Sequence, residues 1–169
     1  MENLGLLINY NAYGSCLDDL NFHPAELYSI LVKYNDPLDF IENDSEHLDK
    51  LSNTYSEDIK KSESAECIYL NNNCAAYLLP DEKWARRVSG VFGNLLANKY
   101  TDRAHAVITQ KKDGCYLVSV RAPLSNKLNA DVLCRGFPSG GGRKAAAGIN
   151  ALPPEKLSIF LDKFNATYN

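Results

Sequence analysis

The apolar periodicity of the chain changes near Ser64, and this change constrains the fold more than any other feature of the sequence. Upstream of it, two stretches repeat apolar residues at the spacing of one helix face. The apolar positions are Leu27, Ile30, Leu31 and Tyr34 in the first stretch, and Leu48, Leu51, Tyr55 and Ile59 in the second. The spacing predicts two amphipathic helices, with Pro24 in the first turn of the earlier one. Before them, "INYNAYGS" is expected to be irregular.

Downstream of Ser64, short apolar runs alternate with helical spacing. "AECIYL" and "CAAYLLP" flank three asparagines, and "HAVIT" and "CYLVSVR" flank a turn at Asp113 and Gly114, so two hairpins are predicted. Helical spacing covers "DEKWARRVSGVFGNLLANKY", "NADVLCRG" and "PPEKLSIFLDKF". We therefore predict an α/β fold with a mixed sheet of about five strands flanked by helices. Residues 1–64 are expected to form an acidic helical linker segment, and residues 65–169 a second domain.

The net charge of −3 conceals two halves of opposite sign. Residues 1–81 hold 4 Lys and Arg against 15 Asp and Glu, whereas residues 82–169 hold 14 against 6, which gives −11 and +8. A basic half attracts phosphates, so it favours a polyanionic partner. Mutual neutralisation of the two halves across an internal interface explains the same numbers, and charge alone leaves both interpretations open.

Composition narrows the class of protein. No apolar run approaches the roughly 20 residues of a membrane span, and no secretory signal is evident, so we expect a soluble cytoplasmic protein without a membrane partner. The five cysteines form no CxxC pair, which indicates neither a disulfide framework nor a zinc site. The histidines, His23, His47 and His105, are isolated, and His105 is interpreted as structural.

The stretch "FPSGGGRKAAAG" at 137–148 is the strongest candidate for a binding site. A glycine-rich loop exposes backbone N–H groups to phosphates, and Arg143 and Lys144 add positive charge. Arg121 ends the predicted strand "YLVSVRA", with Ser119 on the same face. The spacing matches neither a Walker loop nor a dinucleotide fingerprint. A flexible surface turn is the alternative, but the alanines and Gly148 that follow favour close packing over a linker.

Two segments resemble a known family. "VSVRAP" at 118–123 and "GFPSGGGRKAAAGI" at 136–149 are similar to the S-x-R-S strand and the G-G-G-H-x-x-A-A-G loop of the C-terminal DHH-associated domain of DHH phosphoesterases. These enzymes include RecJ-type exonucleases, oligoribonucleases, cyclic-dinucleotide phosphodiesterases and exopolyphosphatase-like proteins. The resemblance covers about residues 65–169, and residues 1–62 resemble the helical bridge between the two domains of the family.

The resemblance implies a domain that binds the phosphate or nucleic-acid end of a substrate. The implied site residues are Ser119, Arg121, Gly140, Gly141, Gly142, Arg143 and Lys144. Arg143 stands where the family has histidine, and Ala122 replaces the second serine of the strand motif. Arginine keeps its charge near neutral pH, so this difference favours anion binding without proton transfer.

The resemblance also implies a separate N-terminal catalytic domain that holds Mn or Mg ions. No DHH triplet occurs in the sequence, so we expect no catalytic or metal-binding residue in this chain. It is interpreted as the C-terminal portion of a longer hydrolase, inactive by itself, whose substrate is a nucleic acid, a nucleotide or polyphosphate. A homodimer is compatible with the sequence.

Two other functions remain open. The basic half allows a stand-alone nucleic-acid-binding module in which exposed aromatic side chains stack on bases. An acyl-coenzyme A transferase is the other, because "RGFPSGGG" loosely fits a pyrophosphate-binding loop.

Overall fold

The computed structural model describes residues 2–169, which fall into two compact units. The first unit contains the described residues up to Glu63 together with Glu82–Val88. The second contains Ser64–Asp81 and Ser89–Asn169. Within residues 2–169, no helix combines the length and the apolar character needed to cross a membrane.

The first unit is built from helices. They are α1 (Glu2–Tyr10), α2 (Pro24–Leu31), α3 (Pro37–Asn43) and α4 (Ser45–Ser62). Both predicted helices are confirmed as α2 and α4, although α2 ends at Leu31, before the predicted Tyr34. Asp36 and Asp44 cap α3 and α4, because their carboxylates accept hydrogen bonds from backbone N–H groups of the first helical turn.

The sequence interpretation missed α1 and α3. The irregular start expected at "INYNAYGS" is wrong for residues 8–10, which form the end of α1. Both helices are short, at nine and seven residues, so neither displays a full amphipathic repeat. They are stabilised by packing, since Leu4, Leu7 and Phe40 are buried in one apolar cluster with residues of α2 and α4.

Two buried ion pairs join the start of the next helix to the rest of the first unit. The Arg86 guanidinium lies 2.7 Å from Asp19, and both side chains are almost fully buried. Arg87 Nε donates to Asp58 at 2.8 Å and to the Tyr10 hydroxyl at 3.0 Å. The hydrogen bonds from Arg86 lower the pKa of Asp19 to about 2. These charges are compensated inside the unit.

The second unit contains a six-stranded mixed sheet. The strands are β1 (Glu66–Leu70), β2 (Cys74–Leu79), β3 (Ala104–Gln110), β4 (Tyr116–Arg121), β5 (Gly140–Arg143) and β6 (Ala146–Leu152), in the spatial order β1-β2-β3-β4-β6-β5. The helices are α5 (Lys83–Lys99), which begins in the first unit, α6 (Ala130–Arg135) and α7 (Leu157–Tyr168). The β2–β3 pair is parallel, with α5 as its crossover, and the other pairs are antiparallel.

The mixed α/β architecture and both predicted hairpins are confirmed, but the sheet has six strands instead of about five. The glycine-rich loop expected at residues 140–142 is wrong: Gly140–Arg143 is an edge strand paired with β6. Glycine and alanine side chains are too small to show the alternation that marks a strand. The pairing with β6 also shows that the stretch is no flexible linker.

The two faces of the sheet are covered differently. On one face, α6 and α7 enclose the main core. Its buried members include Ala106, Ile108, Val118, Val120, Leu133, Ala147, Ile149, Phe160 and Phe164. On the other face, α5 packs over β3 and β4, where a Cβ atom on Gly93 would lie 3.5 Å from the Arg121 side chain and 3.8 Å from Val107. The small residues of α5 therefore allow the helix to approach the sheet closely.

Candidate anion-binding site

Three neighbouring strands bring two of the predicted cations into one row. Arg121 of β4 pairs with Ala146 of β6, and Ala146 pairs with Arg143 of β5. Directly opposed residues of antiparallel strands share a face of the sheet. The backbones of Arg121 and Arg143 are thus two strand spacings apart, about 10 Å. Only an alanine lies between them in the row.

A second row lies two residues along the same strands. Ser119 pairs with Gly148, and Gly148 pairs with Gly141. Because side chains alternate, this row shares its face with the first. The structure therefore brings Ser119, Arg121, Gly141 and Arg143 onto one face. Its floor, between the two cations, consists of glycine and alanine.

The Arg121 side chain is held in place by α5 and its own strand. Nε donates to the Asn94 side chain at 2.7 Å, and Nη2 donates to the Gly90 carbonyl at 3.2 Å. Nη1 donates to the Ser119 hydroxyl at 2.9 Å and to the Val120 carbonyl at 3.1 Å. These four acceptors are uncharged, and they orient the guanidinium.

Sequence analysis missed Gly90 and Asn94. The helical signal in α5 came from its large apolar residues, whereas the face toward Arg121 carries the small or polar residues Gly90, Gly93 and Asn94. Their spacing of three and four residues places them on one helical face. A search for small residues at helical spacing would have found this face.

The three glycines have different structural roles. A Cβ atom on Gly140 would lie 1.7 Å from the Cys134 carbonyl oxygen at the end of α6, so a side chain is sterically excluded there. Gly142 has φ +138° and would place a Cβ 2.5 Å from Ala147. A Cβ on Gly141 would meet no atom within 4 Å. Gly141 thus keeps the face open beside Arg143.

The backbone N–H groups of the three glycines also point in different directions, because the segment is a strand. The Gly140 N–H donates to the Phe137 carbonyl at 3.1 Å, and the Asn150 N–H donates to Ser139 at 3.3 Å. N–H directions alternate along a strand, so Gly141 faces β6 and Gly142 faces the outer edge. The backbone donor aimed outward beside Arg143 is therefore that of Gly142.

Lys144 lies in the two-residue turn between β5 and β6, and both Arg143 and Lys144 are exposed. The turn is tied to its surroundings, because the Lys144 carbonyl accepts from Ala130 N–H and the Ala145 carbonyl accepts from Ala122 N–H, both at 3.0 Å. Two exposed cationic side chains thus extend from an anchored segment, Arg143 at the end of β5 and Lys144 in the turn.

His105 lies beside this site. It pairs with Arg121 in the β3–β4 ladder, is fully buried, and neither ring nitrogen has a hydrogen-bond partner of ordinary geometry. Burial lowers its pKa to about 4, and the positive charge of Arg103 acts in the same direction. A neutral imidazole therefore lies next to Arg121 on the same face of the sheet, with the Tyr100 ring 5.9 Å away.

Potential metal ligands are dispersed. Between residues 2 and 169, the described side chains include no group of three or more His, Cys, Asp or Glu residues that could hold a metal ion. The described donor groups therefore do not fit a two-metal centre, which needs several carboxylates and imidazoles around paired ions.

Comparison with known proteins identifies the family. The sequence profile of the DHHA1 domain matches residues 71–169, which is more than half of the chain. The chain belongs to the DHHA1 domain family, and the resemblance found in its sequence motifs is confirmed. No curated protein matches the chain.

Solved structures share the fold at low sequence identity. An exopolyphosphatase-related protein from Bacteroides fragilis has a TM-score of 0.53 at 17% identity, covering 83% of this chain and 43% of that one. RecJ from Thermus thermophilus, in complex with Mn²⁺, has a TM-score of 0.58 at 16% identity, covering 80% and 20%. The pGpG-specific phosphodiesterase PggH from Vibrio cholerae has a TM-score of 0.57 at 13% identity, covering 85% and 50%. The chain spans between a fifth and a half of these proteins.

Proposed function

We propose that this chain is the substrate-binding portion of a DHH-type phosphoesterase and that it binds the phosphate-bearing end of a nucleic acid, nucleotide or polyphosphate. The observation that carries the proposal is the row formed by Arg121, Ala146 and Arg143. Two guanidinium groups flank a floor without large side chains, so an anion can approach the backbone closely. Membership of the DHHA1 family and the fold shared with RecJ and the two other proteins support this assignment.

Each residue is given a role by its environment. Arg121 is a fixed cation, because Asn94 and Gly90 orient it. Arg143 and Lys144 are exposed cations that close over the ligand from the turn. Gly141 leaves the space that the anion occupies. Ser119 acts through Arg121, because its hydroxyl accepts a hydrogen bond of 2.9 Å from Arg121 Nη1.

The catalytic chemistry belongs to a separate domain in this proposal. The described donor groups do not fit a two-metal site, so Mn or Mg ions and the hydrolytic step are assigned to a DHH domain outside this chain. Residues 1–64 serve as the helical segment that leads to the substrate-binding domain at 65–169. The chain by itself binds substrate and does not hydrolyse it.

Fluorescence anisotropy with a 5′-phosphorylated, 3′-fluorescein-labelled pentanucleotide tests the proposal. Arg143→Ala removes an exposed charge-assisted contact and should weaken binding about tenfold. Asn94→Ala keeps the Arg121 charge but removes one of its orienting acceptors, so it should weaken binding by a smaller factor. Lys112→Ala, in the exposed β3–β4 turn, is the matched charge control and should bind like the parent chain.

Salt dependence provides a second measurement. If Arg121, Arg143 and Lys144 neutralise about three phosphates of a single strand, affinity should fall roughly ten- to twentyfold between 50 and 200 mM salt. Tripolyphosphate used as a competitor separates recognition of phosphate from recognition of bases. Equal affinities for Arg143→Ala and Lys112→Ala, or binding that ignores salt, would reject the site.

A further inference from the structure

A groove lies at the end of β6 that is opposite to the candidate anion-binding site. The groove has a volume of about 280 Å³ and is bounded by the end of α6, the end of β6 and the start of α7. Pro153 follows directly after β6, whereas the candidate anion-binding site surrounds Ala146 at its beginning. Six residue steps along the strand separate the two ends by about 20 Å. The groove is therefore a separate surface, and its role does not depend on the proposed function.

We propose that this groove binds a short acidic segment of a partner protein, with one large apolar side chain inserted between two lysines. The volume lies at the lower end of the range of about 300–1,000 Å³ typical of small-molecule and cofactor sites. The groove has room for one large apolar side chain. The partner is anchored by that side chain, and charged contacts at the rim fix its orientation.

The walls of the groove are apolar and supply few hydrogen-bond donors. Phe137, Pro138, Pro153 and Ile159 contribute to the lining. The two prolines have no backbone N–H, so they offer no donor to a polar ligand. Ile159 is 41% exposed, although a residue of its type is usually buried. An apolar group that fills the groove would remove this surface from water.

Positive charge is confined to the rim. Lys156 and Lys163 are the charged residues that line the groove, and no carboxylate among the described residues lines it. The Lys163 ammonium lies 5.0 Å from the centre of the Phe137 ring, so it is held beside the apolar wall. Among the residues that line the groove, an anionic ligand meets two cations and no carboxylate.

The spacing of the two lysines predicts the spacing of acidic residues in the bound peptide. Lys156, the N-cap residue of α7, and Ile159 and Lys163 within α7 follow one another at the i, i+3 and i+7 spacing of one helical face. Seven residues of helix span about 10 Å. Three residue steps of an extended peptide cover the same distance. Acidic residues three positions apart, with an aromatic residue between them, therefore match the groove.

A capped, fluorescein-labelled peptide of sequence Asp-Glu-Phe-Asp-Glu is the probe, measured with the 169-residue chain. Anisotropy gives the affinity, and ¹H–¹⁵N spectra of the labelled chain locate the site. We expect saturable binding that shifts the amides of Gly136, Ala151 and Ile159 and leaves those of β5 unchanged. Replacing Phe by Ala in the peptide, or its acids by amides, should each weaken binding at least tenfold.

Variants of the chain complete the test. Lys156→Glu and Lys163→Glu should each lower the affinity for the peptide at least tenfold, and Ile159→Ala should lower it about threefold. Lys112→Glu should leave the affinity unchanged. Lys156, Ile159 and Lys163 are all exposed, so the three variants are expected to fold. Equal binding by the lysine variants and Lys112→Glu overturns the proposal. If decanoate displaces the labelled peptide at a lower concentration than unlabelled peptide does, the occupant is a lipid and the proposal is overturned. If the groove amides shift with the concentration of the chain alone, the occupant is a second copy of the chain and the proposal is likewise overturned.

Discussion

Acidification should destabilise the chain through His105 well before its carboxylates are protonated. The imidazole is fully buried between Ala75 and Arg121 in the sheet register, and Arg103 adds a nearby positive charge. Protonation would place a second cation in this environment without a hydrogen-bond acceptor of ordinary geometry. The folded state therefore resists the proton that the unfolded chain accepts.

The magnitude follows from the two pKa values. The pKa of His105 is about 4 in the folded chain and 6.5 in the unfolded chain. Between these values the unfolded state binds more protons, so the free energy of unfolding falls as the pH decreases. The full difference is worth about 3 kcal/mol, and about 2 kcal/mol of it is lost between pH 7.5 and pH 5.0. Little further loss from this group is expected below pH 4.

Urea denaturation of the parent chain and of His105→Leu at the two pH values measures this contribution. Other titrating groups are common to both proteins, so they cancel in the difference. We expect the parent to lose about 2 kcal/mol more than the variant on acidification. Losses that agree within 0.5 kcal/mol, a limit of roughly the experimental error, would refute the argument that His105 is buried in its neutral form.

Other predictions concern single residues. Gly140→Ala should lower stability by roughly 3 kcal/mol or more in urea denaturation, because its Cβ would overlap the α6 terminus, and a fully stable variant would contradict the packing. Gly141→Ala should change stability by less than about 1 kcal/mol but weaken pentanucleotide binding, since the methyl group fills open space at the site. Arg143→Ala should leave the thermal midpoint unchanged, as expected for an exposed side chain. Asp19→Asn removes a carboxylate from buried Arg86 and should cost about 3 kcal/mol in urea denaturation; a loss below about 1 kcal/mol would refute the importance of this pair.

The strands and helices with large apolar residues could be predicted from the sequence. Val118 and Val120 alternate with Ser119 and Arg121, and this pattern identified both the strand and the face that carries the cation. The parallel pairing of β2 with β3 required a crossover helix, which the helical spacing of α5 supplied. Periodicity identifies these segments because their buried positions hold large apolar residues and their exposed positions hold polar ones.

The β5–β6 hairpin could not be predicted from periodicity, because glycine and alanine occur at both buried and exposed positions and so show no alternation. What selects glycine at 140 is the Cys134 carbonyl, and what selects it at 142 is a positive φ beside Ala147. Both constraints arise from contacts that form only when α6, β5 and β6 come together on folding. The orientation of Arg121 by Asn94 is likewise a contact across 27 residues, so spacing within one strand could not reveal it.

The two outer strands also affect how the chain behaves at high concentration. A free strand edge can template pairing with another molecule and start aggregation. Here β1 has a register irregularity between Cys67 and Tyr69, and β5 has only four residues, with a left-handed glycine at 142 and a cation at 143. Each feature discourages a foreign strand from extending the ladder. The strand that borders the proposed anion-binding face is thus built so that its outer edge does not admit a second polypeptide.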